Sequence, residues 1–483
     1  MNAAVIWIVF PGLLGLIALV GRKIGPSINL ILAGFSLILA WIAWQFPIDQ
    51  AFDAASTALK ISSSFSILGR SLTIADIQRP LIVFVFVANA MWLFGAYLSL
   101  PGSLFPGISQ IGIAFFVAAI SVQPFLYAAI FIAFIVLVSI PLLSEPGQDL
   151  GDGLPRFLIF QLLGVPFILF VGWILAGVEA SPGNSELVIR AGIGLILGFS
   201  FLLALFPFHS WLPKLAQQSH PYSFAFLAFF LPFASLLLAL TFFERFAWIR
   251  DFQNLDQSLM LLGGIVSAIG ALFALVQNDI RRQAGYLIVF QTGIWIAAIG
   301  LYVQAGLLIF FTLAWVHLIA MIIWSTSVSG LRLANHGDTN VHALSRISLR
   351  HPILLLSYFL SLAAFAGLPF SLSFFPRILL ISNVALYSES ALVPILLGQF
   401  FVILLFIRNF HILLAPFLDK KRGKGEESLL GPVEDPLELD SENPLALIYL
   451  GFLIILIVIF GFFPALALNG VSPLITVFPL VGQ

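Results

Sequence analysis

The chain has no cysteine. That absence excludes thiolate-held iron–sulfur clusters, Cys-ligated zinc and disulfides, and leaves the redox compartment unreadable. Charge is nearly as scarce. Asp, Glu, Lys and Arg make up 9% of the 483 residues against 61% hydrophobic ones, and the mean hydropathy is +1.10. A soluble domain of this size does not tolerate such a balance. The net charge of −1 gives no argument for nucleic acid as a partner. There is no Walker loop, no dinucleotide fingerprint and no metal-ligand pair at zinc spacing, so no catalytic site, metal or cofactor is expected in the chain itself. The 50 phenylalanines are scattered through the apolar runs and read as lipid and helix packing.

What is present is a series of long apolar runs. A helix needs about 20 such residues to cross a bilayer. Runs of this kind lie near 3–20, 28–46, 80–100, 104–122, 124–144, 156–178, 188–212, 221–243, 258–277, 283–303, 305–328, 352–383, 391–416 and 446–468. They predict an all-α polytopic membrane protein with about fourteen transmembrane helices in one membrane domain, 1–483. Helices 1–3 fall in 1–100, two further groups in 104–243 and 258–416, a cytoplasmic loop in 417–445 and the last helix in 446–468. No basic residue precedes the first run, Met1 to Val20, which reads as a retained helix rather than a signal peptide. The short stretch after 468 is too small for another domain.

Loop charge sets orientation. The odd-numbered loops carry 13 basic residues, among them Arg22, Lys23, Arg281, Arg282 and Lys420, and the even-numbered loops carry 6. The odd loops should face the cytoplasm or stroma, with both termini on the other side of a bacterial inner or thylakoid membrane. Two loops are long. Residues 47–79 alternate polar and apolar, as in Leu59-Lys60-Ile61-Ser62, and predict a small hairpin on the non-cytoplasmic side. Residues 417–445 pass from a basic cluster, Lys420 to Lys424, to an acidic one, Glu426 to Glu442. This is expected to be a solvated loop, with a docking site for a partner as the alternative.

Two spans are interrupted. The seventh ends in Phe206-Pro207-Phe208-His209-Ser210-Trp211-Leu212-Pro213-Lys214, and the twelfth holds Gly367-Leu368-Pro369-Phe370-Ser371-Leu372-Ser373-Phe374-Phe375-Pro376-Arg377. Proline inside a helix removes a hydrogen bond and clashes with the preceding turn. At bilayer depth the freed carbonyls need protein or water partners. Paired interrupted helices in corresponding halves point to an internal repeat with an ion or substrate path; ordinary proline kinks are the other reading.

Several segments carry a resemblance. Pro207 to Pro221 resembles the seventh-helix signature of the antiporter-like subunits of respiratory complex I, a family that includes subunits of Mrp-type cation–proton antiporters and membrane-bound hydrogenases. Asn278-Asp279-Ile280-Arg281-Arg282-Gln283-Ala284-Gly285-Tyr286 resembles that family's entry to helix ten, and Gly367-Leu368-Pro369 its broken twelfth helix. His317-Leu318-Ile319-Ala320 is similar to its eleventh-helix start. The resemblance covers most of the chain, and the short tail argues against the largest subunit type. It implies two inverted five-helix repeats with broken helices 7 and 12. It also implies half-channels joined by a polar axis, carried by a glutamate in helix five and lysines or related groups in helices seven, eight, eleven and twelve.

The chain departs from that pattern. Span five, Phe125 to Leu143, has no acid; Leu202 and Pro232 stand where lysines of helices seven and eight are expected, and Ser325 near one of helix eleven. All six lysines lie outside the spans, and Lys214 replaces the usual acid after Trp211-Leu212-Pro213. A relay needs groups that titrate near working pH, and arginine stays protonated. The path candidates left are His317, His209 and Arg377. His317 reads as a relay or as a neutral imidazole bonded within the bundle. His209 reads as a water gate or a cap on freed carbonyls. Arg377 can bind an anion, pair a carbonyl or hold the break, but not pass a proton on. Pro207, Pro213, Pro369 and Pro376 make the breaks, and Lys214, Asp279, Arg281 and Arg282 are expected to anchor helix ends at the cytoplasmic surface.

Two functions remain open. One is an ion-translocating membrane subunit of a complex I-like NADH or ferredoxin:quinone oxidoreductase, so that an enzymatic role would belong to the assembly. The other is a non-pumping structural subunit of such an assembly, or a subunit of an Mrp-type antiporter, a membrane hydrogenase or an inorganic-carbon uptake complex. Both imply the lipid bilayer and other membrane subunits as partners.

Overall fold

The structure is a computed structural model and describes residues 2–54, 57–67, 69–99, 102–144, 151–180, 185–250, 252, 254–301, 304–347, 350–369, 371–422 and 444–481. Its regular structure is mostly helical, as long apolar runs require. With no water at bilayer depth, each backbone N–H and C=O is satisfied within its own segment. The helices are α1 (Phe10–Val20), α2 (Ser27–Gln45), α3 (Arg79–Ser99), α4 (Phe105–Ser121), α5 (Ala128–Leu143), α6 (Gly153–Ala180), α7 (Ser185–Leu202), α8 (Trp211–Gln218), α9 (Pro221–Arg245), α10 (Ala247–Arg250), α11 (Leu255–Leu275), α12 (Ile280–Gly300), α13 (Gln304–Ala334), α14 (Val341–Leu344), α15 (Pro352–Ala366), α16 (Phe374–Tyr387), α17 (Glu389–Arg422), α18 (Pro444–Phe462) and α19 (Pro464–Ile475). Among the described residues nine helices are long and apolar enough to cross a membrane, and α18 with α19 makes a tenth candidate as a bent pair.

Two segments differ from the sequence expectation in detail. The last helix, expected over 446–468, is two helices meeting at 95°. Phe463 precedes Pro464, and a residue before proline is driven out of the helical region; its backbone is at φ −120, ψ 67. The 47–79 segment holds two hairpins rather than one. β1 (Ala51–Ala54) pairs antiparallel with β2 (Thr57–Lys60), and β3 (Ser64–Ile67) with β4 (Arg70–Thr73). β4 gains a further partner, β5 (Val122–Gln123), from the end of α4. Of the 417–445 loop, residues 423–443 and with them most of its charge lie outside the described residues.

Burial ranks the helices. The apolar windows of α9, α12 and α13 are 83%, 94% and 89% buried, against 28% for α17 and 39% for α6. These three, with the shorter α4, whose residues are nearly all buried, form the interior. α13 is the hub: it packs on α3, α9, α12, α15, α16, α18 and α19. α11 lies against α12 through glycines. A Cβ on Gly263 would sit 2.5 Å from the Gly293 carbonyl oxygen and the Ala297 amide nitrogen, so the two backbones approach as small residues allow in membrane helices.

Candidate functional site

The twelfth-span break holds a buried polar cluster. α15 ends at Ala366, Gly367 turns the chain with left-handed backbone (φ 60, ψ 36), and α16 starts at Phe374. The freed carbonyls find protein partners. Leu368 N donates to Ala363 O at 3.1 Å, the Ser373 hydroxyl to Ala364 O, and the Gln399 carboxamide of α17 to Ala366 O. Glycine is required at 367 for two reasons: the sign of φ, and the collision a Cβ would make with Arg377 Cδ.

Arg377 lies in the first turn of α16 and is 3% exposed. Its Nη1 donates to Gln399 Oε1 at 3.0 Å and its Nη2 to Gln291 Oε1 of α12 at 2.9 Å, and its Cζ stands 4.9 Å from the Phe290 ring centroid. Among the described residues no carboxylate pairs with it. The charge is held by dipoles instead: two carboxamide oxygens, a ring face, and the negative C-terminal end of α15. This is a fixed cation that clamps α12, α16 and α17 around the break.

His317, on α13, is 3% exposed and enclosed by rings. Its centroid lies 5.1 Å from Trp295, 5.3 Å from Phe365 and 6.1 Å from Phe229. Its Nε2 has no hydrogen-bond partner among the described residues. The rings continue outward: Trp295 to Phe310 at 6.0 Å, Phe310 to Phe233 at 5.9 Å. These spacings are ordinary for packed aromatic pairs. Pro232, where the resemblance expects a lysine, sits between Phe229 and Phe233 on the buried α9. His317 and Arg377 share surroundings. Gln291 and Trp295 are one turn apart on α12, and Phe365 ends the helix that Arg377 closes.

The seventh-span break is built without charge. α7 ends at Leu202, Ala204 has φ 51, the Phe206–Pro207 bond is cis, and α8 begins at Trp211. Leu205 N donates to Ser200 O at 2.9 Å, and Gln161 of α6 donates its carboxamide to Leu202 O at 3.0 Å. His209 is 7% exposed among rings, 5.6 Å from Phe206 and 5.9 Å from both Phe273 and Tyr286, with Nδ1 unpartnered among the described residues. Pro207 and Pro213 bracket this break; Pro369 falls in the second gap and Pro376 in the first turn of α16, where proline is tolerated. The structure does not bring His209 to Arg377 through any contact.

Of the residues expected to anchor helix ends, Asp279, Arg281 and Arg282 lie at the start of α12 and Lys214 lies within α8. Lys214 Nζ is 3.2 Å from Asp152 Oδ2, which Arg156 also approaches at 3.8 Å. Asp279 caps α12, its Oδ1 accepting from Arg281 N at 2.9 Å and Arg282 N at 3.0 Å. Thr339 donates to Asp279 Oδ2 at 2.7 Å, and Arg282 Nε to Gln217 Oε1 at 2.7 Å. Just inside lies a buried set that the sequence reading missed. Asn409 Nδ2 donates to Gln283 Oε1 and to Tyr358 Oη, each at 2.7 Å. Gln161, Gln291 and Gln399 were missed as well. Their signal in the sequence is an isolated carboxamide in an apolar run, which does not titrate and so does not stand out among ionisable groups.

Residues 157–402 match the family described as NADH:quinone oxidoreductase/Mrp antiporter, TM. The chain belongs to this family. It is an integral, multi-pass membrane protein of mostly helical build. Subunit N 2 of the NADH-quinone oxidoreductase of Syntrophobacter fumaroxidans is 28% identical over 342 residues, covering 68% of each chain. Subunit N of the Leptospira biflexa enzyme is 27% identical over 239 residues, covering 47% of this chain and about half (48%) of that relative. Two solved structures share the fold at 17% identity and a TM-score of 0.75. One is a chain of respiratory complex I from Thermus thermophilus with bound NADH, with 99% of this chain and 100% of that one covered. The other is a chain of the archaeal membrane-bound sulfane sulfur reductase, with 98% and 97% covered. A chain of the Mrp complex from Dietzia sp. matches at 0.70 over 96% of this chain and 51% of that one.

Proposed function

We propose that this chain is an antiporter-type membrane subunit of a multi-subunit, complex I-like assembly. It keeps the fold of proton translocation and has lost the relay through its own core. The observation that carries the reading is the meeting of α9, α12 and α13, which is filled by Phe229, Phe233, Trp295, Phe310 and His317. A polar axis crossing from one half to the other would have to pass there. Proton transfer along such an axis needs titratable groups or water between them. The interiors of α5, α7 and α9 offer no lysine or carboxylate, and the buried cations of the other half, Arg281 and Arg377, are arginines, which do not release their protons.

The finer architecture follows the family pattern. We read fourteen spans, with α7 and α8 as one broken span, α15 and α16 as another, and α10, α14 and α19 outside the count. α4 to α9 and α11 to α17 then form two inverted five-helix repeats. The loop-charge bias supports cytoplasmic odd loops and termini on the opposite face. Partner subunits would cover the outward apolar faces, where Trp173 is 74% and Ile196 67% exposed. The test is the number of ions moved per electron by the purified assembly in liposomes, with and without this subunit. The same ratio is expected. A fall on removing the subunit assigns it a pumping path instead.

A further inference from the structure

On the side of the bundle that carries the β-strands, two cavities run together. The outer one, of about 350 Å³, opens beside the end of α2 and the start of α3, where Asp76, Arg79 and Thr476 line it. The inner one, of about 230 Å³, runs between α3, α13, α18 and α19 and is lined by Phe84, Trp315, Phe460, Gly470 and Leu474 among others. Trp44, Pro80 and Val83 belong to both, so the cleft is continuous. Its size falls in the range of small-ligand sites, roughly 300–1,000 Å³.

The two ends differ in chemistry. At the mouth a carboxylate and a guanidinium are fixed side by side. Asp76 Oδ1 accepts from Ile48 N at 2.8 Å and from Arg79 Nη1 at 3.2 Å. Arg79 also donates to the last carbonyls of α2, Nε to Ala43 O at 2.7 Å and Nη2 to Trp44 O at 2.5 Å. The side chains stay 46% and 20% exposed, so each has a free side toward the opening. The inner cavity is apolar throughout. Trp41 and Trp44, 56% and 61% exposed, stand at this level as interfacial tryptophans do. A mouth with one charge of each sign over an apolar shaft matches an amphiphile whose head carries both charges.

We propose that this cleft binds a phospholipid with a zwitterionic, primary-ammonium headgroup. The ammonium sits on Asp76, the phosphate beside Arg79, and one acyl chain fills the inner cavity. An anionic headgroup could set its phosphate beside Arg79 but would bring no cation to the Asp76 carboxylate. The bound chain would join the bent α18–α19 pair to α3 and α13.

The test reconstitutes the full chain from vesicles of phosphatidylethanolamine, phosphatidylcholine or phosphatidylglycerol and counts retained lipid by native mass spectrometry. Wild type is expected to retain phosphatidylethanolamine severalfold over the other two. Gly470→Phe points into open space, since a Cβ there meets nothing within 4 Å. Gly470 lines the inner cavity, so a ring at this position is expected to compete with the acyl chain there and to drop retention to background. Asp76→Asn keeps the oxygen that accepts from Ile48 and Arg79, and is expected to abolish the preference for phosphatidylethanolamine while leaving lipid bound. Equal retention of the three lipids by wild type overturns the proposal. So does wild-type retention by Gly470→Phe, or a neighbouring subunit's side chains in the cleft of the assembled complex.

Discussion

The two interrupted helices each carry a pair of prolines, six residues apart in the first (Pro207, Pro213) and seven in the second (Pro369, Pro376), and differ in what fills the gap. In both, a glutamine from a neighbouring helix takes a carbonyl that the break sets free: Gln161 at Leu202, Gln399 at Ala366. Satisfying the backbone is thus common to both breaks and owes nothing to conduction. Charge is the extra ingredient. The second break holds Arg377 between two carboxamides, whereas the first holds Leu202 and a ring-packed His209. A broken helix in this fold is therefore a scaffold on which a relay can be mounted, and its presence does not by itself indicate one.

Removing the cation should separate the two breaks most sharply. Arg377→Leu leaves the oxygens of Gln291 and Gln399 buried without donors, at about 1–3 kcal/mol each. Thermal unfolding in detergent should shift down strongly, and a midpoint equal to wild type would show that the clamp is not structural. Next comes the pair of glutamines. Gln399→Leu loses both the Ala366 cap and an Arg377 contact, while Gln161→Leu loses the Leu202 cap alone, at roughly 1–3 kcal/mol. Unfolding midpoints should rank Gln399→Leu below Gln161→Leu, and the reverse order would break the comparison. The smallest effect belongs to Asp279→Ala, which removes an N-cap at the surface end of α12, at about 1 kcal/mol. Hydrogen exchange should quicken in the first turn of α12 and leave both breaks protected.

Much of this was legible in the sequence because it rests on prolines and on runs of apolar side chains. Pro207 and Pro369 announced the breaks, and the Asp279-Ile280-Arg281-Arg282 run announced a helix end, though not that Asp279 caps it. Other features were hidden for physical reasons. The third strand beside the second hairpin, β5, pairs with β4 from about fifty residues away, which no local pattern encodes. The turn after Phe462 follows from Pro464, a residue passed over because the apolar run continues across it. The clamp around Arg377 is made by Gln291 and Gln399, 86 and 22 residues distant, and carboxamides neither titrate nor repeat. The ring cluster at His317 looked like general packing until three helices brought Phe229, Trp295 and Phe365 around one imidazole.

The most direct test replaces that imidazole with a ring of similar bulk. His317→Phe keeps the aromatic packing and removes the imidazole that shares Arg377's surroundings. In liposomes holding the purified assembly, proton uptake per electron transferred should equal that of wild type. A clear drop, with assembly and electron transfer intact, would mean that a proton crosses this core through His317, and the account would be wrong.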